Sequence, residues 1–93
     1  MKDDRLPSAA PQRLSQAPEG SRVRVETLPA HPALKDRLLA LGIRPGVRLD
    51  VLRRGRPGGL LHLAHGMLEF MLRREHADQM AVSHDPEDPG AGS

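Results

Sequence analysis

The side chains with most scope for chemistry in this sequence are its histidines and its arginines. Imidazole is a common ligand for first-row transition metals, so His62, His65, His76 and His84 are the first candidates for a metal site. His62 and His65 are three apart in the alternating run LLHLAH, and on a strand that spacing places them on opposite faces. Nothing in the spacing brings His76 and His84 together. The sequence therefore predicts no metal site and no cofactor.

Patterns that support catalysis are also missing from the sequence. There is no cysteine nucleophile, and no serine stands in a nucleophile-elbow pattern. Asp36, Asp50 and Glu69 fall on predicted polar faces without the spacing of a paired-carboxylate site. The glycines of RGRPGG lack the Lys-Ser/Thr pair and the following helix of a P-loop, so turn formation accounts for them. We expect this protein not to be an enzyme.

The basic residues are better functional candidates. Residues 20–84 hold eleven Lys and Arg against six Asp and Glu, a net charge of +5, whereas the whole chain carries +2. Arginines either form a solvated face or make bidentate contacts to the carboxylates of a protein partner. Phosphate backbones are the rival target, but with Phe70 as the single aromatic residue we expect no nucleic-acid partner. The candidate partner-binding residues combine arginines with leucines at outward positions: Leu39, Leu52, Arg53, Arg54, Arg56, Leu60, Arg73 and Arg74.

The elements that must position these residues follow from two hydrophobic periods. Five segments alternate apolar and polar residues and predict strands: SRVRVETL, RLDVLRRG, LLHLAH, GMLEFMLRR and MAVSH. Between the first two, Leu34, Leu38 and Leu41 recur at helical spacing, and Pro32 suits the first turn of that helix. The segment EHADQ predicts a single helical turn before the last strand.

Glycines and prolines mark the turns between these elements. Gly42 suits the left-handed position after the helix, where a Schellman motif would press Ile43 back onto Leu38. The segment 44–47, Arg-Pro-Gly-Val, predicts a type II turn, because proline fixes the first central residue and glycine accepts positive φ at the second. The predicted turn residues are Gly42, Pro45, Gly46, Gly58 and Gly59.

These elements predict a mainly β fold in one domain. Residues 1–19 are proline-rich without periodicity and residues 85–93 read DPEDPGAGS, so both are predicted to be disordered tails around a domain at 20–84. No apolar run approaches the ~20 residues of a membrane span, and no signal segment is evident, so we expect a cytoplasmic protein that is not embedded in a membrane. About five strands and one short helix predict a small SH3-like barrel, because closure removes exposed sheet edges.

The order of these segments resembles the FeoA domain family. The resemblance covers roughly residues 20–84 and is carried by LKDRLLALGIRPG, by the basic ending VLRRG and by LRREHA at 72–77. It implies an SH3-like barrel that acts as a cytosolic accessory protein of bacterial ferrous iron uptake. It also implies a partner, the membrane GTPase and permease FeoB, on whose cytosolic part such a domain would dock to modulate iron transport.

Two other functions stay open at this point. The same barrel occurs as the C-terminal domain of metal-responsive repressors, which would make this chain a regulatory domain that binds a transition metal ion. A small basic barrel that binds nucleic acid is the third interpretation. Nineteen proline-rich residues before the barrel cannot hold a helix-turn-helix, which favours the accessory role.

Overall fold

Six strands and two helices form the regular structure of residues 11–55 and 59–86, the part of the chain that the computed structural model describes. The mainly β fold predicted from the sequence is confirmed, with six strands where about five were expected. The elements, in chain order, are β1 (Gln12–Arg13), β2 (Arg22–Val25), α1 (Pro32–Ala40), β3 (Arg48–Arg54), β4 (Leu60–His65), β5 (Leu68–Arg73), α2 (Arg74–Ala77) and β6 (Ala81–His84).

All six strands belong to one antiparallel sheet with the order β1-β6-β2-β3-β4-β5. The consecutive strands β2 to β5 lie side by side in chain order, and β6 inserts between β1 and β2. A two-residue turn at Gly66 and Met67 joins β4 to β5 and sets His65 opposite Leu68. β1 and β5 are therefore the two outermost strands of the sheet.

The core lies under one face of the sheet, as the alternation predicts. Leucines and valines at every second strand position are almost fully buried, and α1 adds Leu34 and Leu38 to the same cluster. Burying a Leu or Val side chain stabilises a fold by about 1.5–3 kcal/mol, so this cluster is the main source of stability in a chain without cysteine. In the described part of the chain, neither helix is long and apolar enough to span a bilayer.

The end of α1 forms a Schellman motif. The Ile43 N–H donates to the Leu38 carbonyl at 2.9 Å and the Gly42 N–H donates to the Leu39 carbonyl at 3.0 Å. Gly42 has a φ of 87°, a conformation that a side chain disfavours. Ile43 is fully buried in the core, so the residue that follows Gly42 anchors the end of the helix to the rest of the domain.

A tight turn then leads from the helix end into β3. The Val47 N–H donates to the Arg44 carbonyl at 3.1 Å, and Gly46 has a φ of 99°. That bond and the positive φ at the third turn residue are the features of a type II turn. Helix α1 therefore reverses into β3 within seven residues, 41–47.

The folded domain begins before residue 20, which corrects the predicted boundary of the N-terminal tail. β1 pairs with β6, and a 3₁₀ turn at Leu14–Gln16 buries Leu14 completely. The buried Ser15 hydroxyl donates to the carboxylate of Asp78, which ties this turn to the end of α2. A two-residue strand carries too little alternation to be recognised in a sequence, which is why the prediction missed it.

Asp85 corrects the predicted boundary at the C-terminal end. Its side chain is fully buried, its backbone N–H donates to the Arg22 carbonyl at 3.2 Å, and its carboxylate faces Arg24 and Arg48. The acidic composition of DPEDPGAGS hid a residue that pairs with an arginine of the adjacent strand β2 and an arginine of β3. The described chain therefore remains part of the domain through at least Asp85.

Candidate docking surface

An open groove of about 540 Å³ runs between helix α1 and strand β5. Apolar side chains line most of it, and the ionisable side chains along it are all basic: Arg37, Arg73 and His76. The lining residues are Leu34, Arg37, Leu38, Leu41, Leu60, Phe70, Met71, Leu72, Arg73 and His76. An apolar groove with a basic rim suits an apolar ligand that also carries carboxylates.

Exposed apolar side chains of β4 and β5 extend the groove onto the outer face of the sheet. Leu60 is 38% exposed and Met71 is 52% exposed, which is high for residues of their size. Leu60 lies opposite Arg73 in the β4–β5 register, so an apolar and a basic side chain stand side by side. This groove and its rim are called the α1–β5 groove below.

The structure describes seven of the eight candidate partner-binding residues and brings two of them together. Leu60 and Arg73 line the α1–β5 groove. Leu39, Leu52 and Arg53 are exposed but do not line it. Arg74 is the first residue of α2 and is also exposed outside the groove, while Arg56 and the turn residue Gly58 lie outside the described residues.

Arg54 is hydrogen-bonded to the N-terminal segment of its own chain. Its Nη2 donates to the Ser15 carbonyl at 2.8 Å, and its backbone N–H donates to the Glu19 carboxylate at 2.9 Å. Both partners lie in the segment that connects β1 to β2. The arginine predicted to face a partner therefore binds the N-terminal segment of its own chain.

A β-bulge explains why Arg53 and Arg54 have different surroundings. Val51 pairs with Leu63, but Arg53 pairs with His62, so Leu52 is an extra residue in β3. The extra residue reverses the alternation, because side chains of a strand change face at every position. Arg54 consequently pairs with the buried Leu61, on the side of the sheet where the N-terminal segment lies.

The histidines form local contacts with the surrounding chain. His62 Nε2 lies 2.9 Å from a carboxylate oxygen of Glu69, and His65 Nδ1 lies 3.2 Å from the Arg48 carbonyl oxygen. His31 caps α1, because its Nδ1 accepts from the Leu34 N–H at 3.4 Å. Across residues 11–55 and 59–86, no three His, Asp or Glu side chains converge as metal ligands would.

Among the groove residues outside the predicted partner-binding set are Arg37, Met71 and His76. Strand alternation assigns Met71 an outward position and makes it a possible apolar contact, but nothing in the sequence indicates that it lies near α1. Arg37 falls on the polar side of the predicted helix, and His76 is considered only as a metal ligand. Leu34, Leu38 and Leu41, which the sequence places on one helical stripe, form one wall of the groove.

The fold defines a small SH3-like β-barrel, and the α1–β5 groove is an open apolar surface with a basic rim. The model of the FeoA domain family matches residues 12–84 of the sequence. The chain therefore belongs to the FeoA domain family. This match also begins within β1, in agreement with the early start of the folded domain.

Solved structures of FeoA proteins share the fold. The FeoA protein from Chlorobium tepidum superposes with a TM-score of 0.76 at 29% identity, over 88% of this chain and 78% of that chain. The FeoA of Stenotrophomonas maltophilia, a prokaryotic SH3 domain protein solved with zinc, gives a TM-score of 0.66 at 29% identity, over 77% of this chain and 89% of that one. The SH3-like fold expected from the sequence is confirmed.

The same fold occurs in a regulator. A manganese-dependent transcriptional repressor superposes with a TM-score of 0.75 at 22% identity, over 86% of this chain but 45% of the repressor. The chain thus spans less than half of that protein, and at this identity the likeness concerns the fold alone. A comparison with curated proteins finds no match.

Proposed function

We propose that this protein is a non-enzymatic accessory protein of bacterial ferrous iron transport in the cytoplasm. In this proposal it docks on the cytosolic part of a FeoB-like membrane GTPase and permease and modulates iron transport. Membership of the FeoA domain family supports the iron transport role. The observation that carries the docking is the α1–β5 groove, which combines exposed apolar side chains with an entirely basic set of ionisable residues.

The physical argument for docking at this groove has two parts. Removing Leu60 and Met71 from water by contact with a partner is favourable in proportion to the apolar area buried. Arg37 and Arg73 then select a partner with carboxylates at the edge of the contact, because charge complementarity affects specificity and association rate more than area does. The groove therefore fits a protein surface that is apolar at its centre and acidic at its rim.

The proposal is tested by NMR titration of the isotope-labelled protein. The titrant is the soluble cytosolic GTPase domain of the FeoB from the same organism, with and without guanine nucleotide. We expect shifts confined to α1, to the 60–65 and 68–77 segments and to residues in contact with them. An absence of shifts in both nucleotide states at high concentration would contradict docking on this domain.

Matched variants separate the groove from the rest of the basic surface. Arg73→Glu reverses a charge on the rim, whereas Arg53→Glu reverses a charge outside the groove. We expect Arg73→Glu to weaken binding by about tenfold or more and Arg53→Glu to change it by less than about threefold, because a close unfavourable charge pair costs more than a distant one. Leu60→Ser and Leu39→Ser form the corresponding apolar pair. Equal losses within each pair would place the contact surface elsewhere.

A further inference from the structure

Strand β5 presents an edge that no other strand in the described part of the chain covers. We propose that this edge, Leu68–Arg73, binds an extended acidic and apolar segment of the protein partner as an additional strand of the sheet. The segment would place its apolar side chains in the α1–β5 groove and a carboxylate against the basic rim. This inference rests on the proposed docking function and specifies how the partner is recognised.

The direction of the backbone groups of β5 supports strand addition. The Arg74 N–H donates to the Gly59 carbonyl at 2.6 Å, which identifies that pair as hydrogen-bonded across the β4–β5 ladder. Hydrogen-bonded and non-hydrogen-bonded pairs alternate in an antiparallel ladder, so the Arg73 pair with Leu60 is non-hydrogen-bonded. The backbone N–H and C=O groups of Glu69, Met71 and Arg73 therefore point away from β4, toward the open edge.

The groove lies along this edge. Four consecutive β5 residues, 70–73, line it, and the leucines of α1 form the opposite wall. An added strand lies about 4.8 Å from its neighbour, with side chains alternating between the two faces of the sheet. A strand bound to β5 would thus direct every second side chain toward Leu34, Leu38 and Leu41.

Strand β5 lacks three features that commonly protect an edge strand. Natural edges are commonly interrupted by proline, by a bulge or by extreme shortness, since an exposed edge pairs readily with other chains. β5 is six residues long, contains no proline and keeps a continuous register with β4 along its whole length. The bulge of the sheet lies instead between β3 and β4, at Leu52.

The charges around the edge indicate which segment it would accept. Arg37, Arg73 and His76 are the ionisable residues of the groove, and all are basic. Glu69, the acidic residue of β5, is directed to His62 on the outer face of the sheet by their 2.9 Å contact. An extended segment with apolar residues at alternate positions and a nearby Asp or Glu satisfies both the groove and its rim.

Hydrogen exchange in the unmodified protein is the first test. Amide exchange is followed by NMR for the free protein and for its complex with the cytosolic GTPase domain of the FeoB. We expect the amides of Glu69, Met71 and Arg73 to exchange at least about tenfold more slowly in the complex than in the free protein, because each gains a backbone acceptor. The amides of Phe70 and Leu72, which already face β4, are the internal reference.

A pair of substitutions at one position isolates the backbone contribution. Met71→Pro removes an N–H that points to the open edge, a place where proline is tolerated in a sheet, whereas Met71→Ala removes the side chain and keeps the N–H. We expect Met71→Pro to bind the GTPase domain about fivefold or more weakly than Met71→Ala, from loss of a hydrogen bond and crowding by the ring. The amide spectrum of each free variant reports whether it is folded.

The outcomes distinguish this inference from the function on which it rests. Binding of the GTPase domain without protection of the β5 amides overturns strand addition and leaves the docking proposal standing. Failure of the GTPase domain to bind in either nucleotide state overturns both. Protection that depends on the concentration of this protein alone also overturns the inference, in favour of pairing between two copies.

Discussion

The Nη2 of Arg54 donates a 2.8 Å hydrogen bond to the backbone carbonyl oxygen of Ser15. This bond joins the end of β3 to the segment that follows β1, two parts of the chain separated by 39 residues. Both Arg54 and its sequence neighbour Arg53 are exposed, but only Arg54 is tied by this bond to a distant segment of the chain.

Replacing Arg54 with alanine should therefore destabilise the protein. Arg54→Ala leaves the Ser15 carbonyl without its charged donor, and we expect the free energy of unfolding to fall by about 1–2 kcal/mol. Arg53→Ala is the matched control and should change it by less than about 0.5 kcal/mol. Urea denaturation followed by circular dichroism measures both variants, and equal losses would show that the Ser15 bond contributes nothing particular.

Leu14 tests whether the domain begins before residue 20. It is fully buried and belongs to the core cluster, so Leu14→Ala should lower the free energy of unfolding by about 2–4 kcal/mol through loss of buried area and a cavity. Leu39→Ala removes the same atoms from a side chain that is 43% exposed and should cost far less. If Leu14→Ala is as stable as the Leu39 variant, the N-terminal segment does not pack as described.

Gly42 tests the turn that ends α1. Its φ of 87° disfavours a side chain, and an added Cβ would meet only His65 at an ordinary 3.7 Å, so the cost of Gly42→Ala comes from the backbone. We expect a loss of about 1–2 kcal/mol in stability. Gly42→Asn should lose less, because asparagine tolerates the left-handed region better than alanine. The melting temperatures of the two variants give the comparison, and the reverse order would argue against backbone strain as the cause.

Asp85 tests the end of the domain. Its carboxylate is fully buried, with one oxygen 3.2 Å from Arg48 Nε and the other 3.9 Å from Arg24 Nη2. Arg24 and Arg48 are direct cross-strand partners, and like charges in that position repel unless a counter-charge lies between them. Asp85→Asn removes that counter-charge and should destabilise the protein by about 1–3 kcal/mol.

The control for Asp85 is the exposed Asp36 of α1. Asp36→Asn changes the net charge by the same amount without disturbing a buried group, so it should leave the denaturation midpoint nearly unchanged. Added salt should restore part of the stability lost in Asp85→Asn, because it screens the repulsion between the partly exposed side chains of Arg24 and Arg48. Equal denaturation midpoints for the two Asn variants would show that the Asp85 carboxylate does not stabilise the domain.

Much of the fold could be predicted from local patterns. Alternation of apolar residues marked β2 to β6, and the spacing of Leu34, Leu38 and Leu41 marked α1. The Gly42 and Gly46 positions followed from the conformations that their turns require. These features depend on neighbouring residues only, so a single sequence contains them.

The candidate site could be predicted only in part. Outward positions such as Leu60 and Met71 were readable from strand alternation, and the basic charge was readable from composition. The surface on which they meet was not, because Arg37, Leu60 and Arg73 come from three elements that the fold brings to one groove. Leu39 and Leu52 satisfied the same local rule and lie outside the groove.

The sequence by itself determined the mainly β class, the helix and its stop, the turns and the basic character of the domain, since each depends on residue types at short range. Tertiary structure decided which strand stays at the edge, how the bulge at Leu52 turns Arg54 toward Ser15, and how Asp85 comes between Arg24 and Arg48. Those features depend on strand order and register, which are fixed by contacts between distant segments. A one-residue slip in register exchanges the two faces of a strand, so no local pattern could assign these side chains to their partners.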